Sequence, residues 1–159
     1  MSAKIKKALP VVLSVWIAFV FIQSLFFKFA GAPETQHIFG TLDVWFAGLT
    51  GIDNVFINGG IFNAYVIGTA ELVASVLLLG AIVLRSPIMS LAGAVLTLGI
   101  ISGAVFFHLA TPLGVNVNGD GGALFIMACT VLVSSLVLIA VRWGQVKQPT
   151  HMVAAPSMA

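Results

Sequence analysis

Charge is what this sequence has least of. Its 159 residues hold only 7 Lys and Arg and 5 Asp and Glu, or 8% charged, where soluble domains carry about 25%. With 60% of its residues hydrophobic the chain has too little polar surface to face water. Its mean hydropathy of +1.13 points to lipid as the surrounding solvent. Cysteine is nearly absent as well. Cys129 stands alone, which excludes a disulfide within the chain, a CxxC redox pair and a cysteine-rich metal site; it is expected as a small core residue. The basic residues are few, and the lysines cluster at the start, at Lys4, Lys6 and Lys7, instead of spreading over a face, so no nucleic-acid partner is expected. No nucleophile elbow, phosphate loop or HExxH occurs, and His37, His108, Glu71 and Asp120 share no metal-ligand spacing. Neither a catalytic set nor a metal centre is therefore expected.

What the chain has instead is length in its apolar runs. Four are long enough to cross a bilayer: LPVVLSVWIAFVFIQSLFFKF (9–29), IFNAYVIGTAELVASVLLLGAIVL (61–84), IMSLAGAVLTLGIISGAVFFH (88–108) and GGALFIMACTVLVSSLVLIAV (121–141). Each is expected to be a helix, because only helices or closed barrels satisfy the backbone in lipid, and the short alternating strands of a barrel are missing. The predicted fold class is all-α, an integral-membrane four-helix bundle forming one domain over 1–146, with a flexible cytoplasmic tail at 147–159. MSAKIKK and the apolar run after it resemble a signal peptide, but the run exceeds the about 7–15 residues of a signal core, so it is expected to stay as the first span.

Lys4, Lys6 and Lys7 precede the first span, Arg85 sits in the Arg85-Ser86-Pro87 turn, and Arg142 and Lys147 follow the fourth. The connections 30–60 and 109–120 contain no Lys or Arg. The positive-inside rule thus predicts a multi-pass membrane protein with both termini and the 85–87 turn cytoplasmic and those two connections on the outer side. Within the long outer connection, Pro33 and Glu34 read as a helix start, and Ile38, Phe39, Leu42, Trp45, Phe46 and Leu49 recur at helical spacing among His37, Thr41 and Asp43. This predicts a short amphipathic helix over 33–49 at the outer interface, between spans one and two. In the third span Gly99 and Gly103 form GxxxG beside a strip of Ser90, Gly93 and Thr97. Close helix packing is expected there, within the bundle or between copies of a homo-oligomer.

Gln23, Lys28, Glu71 and His108 are the polar residues inside these runs, and ionisable groups cost about 2.5–3.5 kcal/mol each at a span's centre. At about 1.5 Å per residue from the cytoplasmic boundary, Gln23 and Glu71 share a level roughly 6–7 Å outward of the midplane, and Lys28 lies about 14 Å out. Helical side chains lean toward their own N-terminus, so Lys28 on the outward-running first helix and Glu71 on the inward-running second lean toward each other. The gap of about 8 Å suits a stretched or bridged contact. His108 also leans inward, Asp120 begins the fourth span, and Ser24 and Ser75 lie one turn from Lys28 and Glu71. One polar cluster under the outer mouth is therefore expected. Plainer readings stand beside it: Lys28 can snorkel, His108 can cap its own helix, Asp120 in NGDGG can be an N-cap, and Glu71 can belong to a structural pair.

The first-span ending FFKFAGAPE and the second-span segment GTAELVASVLLLGAIVLRSP, set in four spans with both ends inside, resemble the DoxX and DoxX-like family of small bacterial membrane proteins. The resemblance covers about residues 10–142, and Ser75 departs from the glycine that relatives commonly carry after the glutamate. It implies a place in the bacterial inner membrane and association with membrane oxidoreductase assemblies or quinone-linked sulfur oxidation, with Lys28 and Glu71 as the residues carried over.

Three functions follow as expectations. The first is an accessory component of a membrane redox complex. Its outward pocket, formed by Gln23, Lys28, Glu71, His108 and Asp120, would bind a lipophilic ligand such as a quinone beside a membrane or periplasmic redox partner. The second is a proton-linked transporter or channel component using Glu71. The third is a structural or assembly partner without catalysis.

Overall fold

The structure, a computed structural model, describes residues 3–57 and 59–147. The expected tail thus lies outside the described residues from 148 onward. The described residues form helices α1 (Ala3–Phe29), α2 (Pro33–Thr50), α3 (Ala64–Val83), α4 (Pro87–Ala110) and α5 (Ala123–Lys147). All but α2 are long and apolar enough to cross a membrane. Their outward residues agree with that, because Phe26, Val76, Val95 and Val133, one on each long helix, are between 53% and 73% exposed. A continuous apolar exterior of this kind suits lipid contact and marks a multi-pass membrane protein.

The helix ends follow local chemistry and depart from the expected bounds accordingly. α3 starts at Ala64, not at 61, because Asn63 Oδ1 accepts from the Tyr65 and Val66 amides and ends the preceding loop. Ser86 caps α4 through the Met89 amide, with Pro87 in its first turn. Between them, Ser86 N donates to Ala81 O across Arg85, which holds the left-handed φ of 51° that usually belongs to glycine. α5 starts at Ala123, after Gly121 and Gly122 at φ 65° and 85°.

The four long helices form a ring in which α1 packs on α3, α3 on α4, α4 on α5 and α5 on α1. Ile17, Phe21, Leu78, Val131 and Leu138 fill its centre. A second apolar core, built from Phe39 and Leu42 of α2, Phe56 of the next connection, and Leu113 and Val117 of the α4–α5 connection, closes one end of the ring. α2 is thereby tied to both long connections as a cap. Hydroxyls inside the bundle mostly bond their own helices, as Thr97 to Gly93 O and Ser135 to Leu132 O do. Ser14 Oγ is the buried side-chain oxygen left without a partner among the described residues.

Close packing does occur on α4, but through the neighbouring strip. A Cβ at Gly93 would stand 3.0 Å from Leu78 Cγ, whereas Gly99 has nothing within 4 Å and Gly103 meets only Phe107 of its own helix. Among the described residues, then, a Cβ on either glycine of the GxxxG pair would meet no other helix within 4 Å. The tightest glycine lies in the cap: a Cβ at Gly60 would sit 2.1 Å from Asn54 O and 2.3 Å from Val55 O. Backbone oxygens cannot swing aside as side chains do, so Gly60→Ala is expected to destabilise the fold by about 1–3 kcal/mol. Gly48→Ala, on the open face of α2, should leave it unchanged or slightly raised. Thermal unfolding of the two variants in lipid nanodiscs checks the contrast.

Candidate functional site

The seam between α1 and α3 carries the charged residues. Gly68 makes the seam close: a Cβ there would lie 2.8 Å from Phe29 Cε1 and 3.3 Å from Leu25 Cδ2. With the two helices drawn together, Lys28 Nζ stands 3.0 Å from Glu71 Oε1 and 2.9 Å from Oε2. Ser24, one turn before Lys28, joins them, accepting from Lys28 Nζ at 2.7 Å and donating to Glu71 Oε2 at 2.6 Å. The three side chains form a closed triangle. An ammonium has three protons to donate, and here three oxygens surround Nζ, so its donors are saturated from within the chain. The side chains of Lys28 and Glu71 keep only 15% and 8% of their exposure. Phe29 and Tyr65 stack at 5.9 Å between the same helices.

The other expected members lie elsewhere. Ser75 donates to Glu71 O, a backbone atom, at 2.8 Å and adds nothing to the triangle. Gln23 is exposed on the outer surface of α1, because it lies about a third of a turn from the Ser24–Lys28 line. His108, in the last turn of α4, and Asp120, in the α4–α5 connection, sit together at the capped end. His108 Nδ1 donates to Gly114 O at 2.7 Å, and its ring meets Phe125 edge-on at 5.6 Å. A carbonyl only accepts, so Nδ1 carries the hydrogen. Asp120 accepts from Val117, Gly122 and Leu124 amides at 2.8–2.9 Å, holding the loop and the start of α5. The single expected cluster is thus two separate ones, an ion pair in the bundle wall and a loop clasp at the capped end.

Asp43 is a buried carboxylate with no assigned role in the sequence reading. It accepts from Asn54 N at 3.2 Å and Phe56 N at 2.9 Å, pinning the α2–α3 connection to α2. Its signal in the sequence was an acid within the apolar stripe of Phe39, Leu42 and Phe46. Arg142 Nε donates to Ser90 Oγ at 3.0 Å and so ties α5 to α4 at the opposite end. Among the described residues no three His, Cys, Asp or Glu side chains converge as a metal site. A shallow groove runs along the outward face of α2 past His37, Thr41, Val44 and Trp45 to Pro112.

The fold and these bonds define a multi-pass helical bundle with an internally bonded ion pair and a folded cap. Compared with known proteins, the chain matches no family model, no curated protein and no solved structure.

Asp120 generates a pH-dependent expectation. The Leu124 amide foremost, then those of Gly122 and Val117, together with the nearby His108, hold its carboxyl below the usual 3.8 against the opposing effect of burial. A carboxylate depressed in the folded state stabilises at pH above its unfolded pKa and loses that contribution as pH falls through the folded pKa. Asp120→Ala should therefore cost about 1 kcal/mol at pH 7, with the gap to wild type narrowing only below pH 3.8. Melting curves from pH 7 to pH 3 measure it.

Proposed function

We propose that the protein is a structural or assembly partner in the bacterial inner membrane, non-catalytic, with both termini and the α3–α4 turn cytoplasmic and the cap outside. The saturated triangle of Ser24, Lys28 and Glu71 carries this reading. A quinone oxygen approaching Lys28 would find no free proton unless the pair opened. His108 Nδ1 is likewise engaged by Gly114 O and Asp120 by three loop amides, so of the five residues expected to line a ligand pocket Gln23 alone has no hydrogen bond among the described residues. Arg85 supports the orientation, since a non-glycine residue in left-handed backbone costs about 1–2 kcal/mol and its charge gives a reason to keep it there. The cap offers the free polar surface, in the α2 groove with His37 and Thr41 beside Val44 and Trp45. A membrane or periplasmic redox partner is the kind that the family resemblance implies, and this surface is where it would dock.

A photo-crosslinking amino acid in place of Val44, which is 76% exposed, tests the reading in native membranes. The expected result is one discrete protein adduct that Thr41→Arg removes. Absence of any adduct, combined with saturable quinone binding by the purified protein that Glu71→Gln abolishes, would return the ligand-pocket reading.

A further inference from the structure

Gln23 is the polar side chain that the bundle leaves unexplained. It is exposed and has no hydrogen bond to any described residue. It lies six residues before the end of α1 at Phe29, about 9 Å from that end of the span. Helical side chains lean toward the N-terminus, so its carboxamide points away from the nearer interface and cannot reach water by snorkelling. One donor group and one acceptor group therefore stand in the apolar exterior.

Gln23 lies on a broad exposed face of α1 that also includes Val11, Val15, Ile22 and Phe27, and one regularly spaced line of residues runs along that face. Val12, Trp16, Phe19 and Phe26 are 61%, 36%, 56% and 73% exposed, and with Gln23 they are spaced 4, 3, 4 and 3 residues apart. That is the 3.5-residue period of a seam between two parallel helices, with one polar residue at a seam position of the kind that fixes register. Trp16 and Phe19 already stack at 6.1 Å along it.

We infer that this face of α1 is a homodimer interface in which Gln23 pairs with Gln23 of a second copy. Two copies inserted in the same sense bring their Gln23 residues to one depth, on either side of a two-fold axis along the membrane normal. A carboxamide is self-complementary, so each Nε2–H donates to the other's Oε1 and the amide–amide contact is satisfied without a third group. Lipid tails offer neither donor nor acceptor, and an unrelated helix would need a polar group at this depth by coincidence. A second copy supplies it by construction. The interface lies on the side of α1 facing away from the Lys28 pair, so it is independent of the function proposed for the cap.

The competing surface is α4, where Gly99 and Ser102 are exposed. In the full chain carrying Cys129→Ser, single cysteines replace Phe19 or Phe26 on the α1 stripe, Ser102 on α4, or Val76 on α3, and the protein is oxidised in its native membrane. Disulfide-linked dimers are expected from Phe19→Cys and Phe26→Cys and not from the α3 and α4 positions. Adding Gln23→Leu should cut dimer yield by about tenfold, while Gln23→Asn restores most of it and the melting profile of the monomer stays unchanged. Dimers that form equally well with Gln23→Leu overturn the inference. So do dimers only through Ser102→Cys, adducts only with other proteins, or no dimer at any position.

Discussion

Two opposite charges inside a bundle whose exterior is apolar set the terms for the rest of this structure. Lys28 and Glu71 are tolerable in a span only while each satisfies the other, since an isolated buried charge costs several kcal/mol. The contact at 2.9 Å fixes the axial register of α1 on α3. It also sets their separation, which is why Gly68 has no room for a Cβ beside Phe29. Ser24 completes the arrangement by giving Lys28 its third acceptor and Glu71 an added donor. The remaining helices close the ring around this seam, with Gly93 allowing α4 to approach α3 and Arg142 tying α5 to α4.

The cap answers a different constraint. Two long connections leave the same end of the ring, and their backbone groups need partners. Asp43, His108 and Asp120 supply many of them, each bonding a loop amide or carbonyl. Polar side chains here work as clasps for irregular backbone while Phe39, Leu42, Phe56, Leu113 and Val117 provide the apolar filling.

Much of this was readable from residue order. The four long helices, the helix after Pro33 and the Lys28–Glu71 pair all follow from apolar run length, periodicity and the N-terminal lean of helical side chains. What periodicity does not encode is which neighbour a helix face meets. Gln23 shares a level with Glu71 but not a side, and the GxxxG of α4 identifies a smooth strip without saying whether that strip faces inward. Ser24 and Ser75 look equivalent in the sequence. They part because Ser75 bonds its own helix while Ser24 points across the seam. The attachments of His108 and Asp43 depend on loop carbonyls and amides whose positions only the folded chain defines.

The central claim is that Lys28 and Glu71 are a mutually dependent structural pair. A double-mutant cycle on thermal stability in lipid nanodiscs tests it most directly, using Lys28→Met, Glu71→Gln and both together. Each single variant should lose about 3–5 kcal/mol by stranding the other charge. The double variant should lose far less than their sum, with a coupling of at least about 1 kcal/mol. Additive losses, or single variants as stable as wild type, would contradict the account.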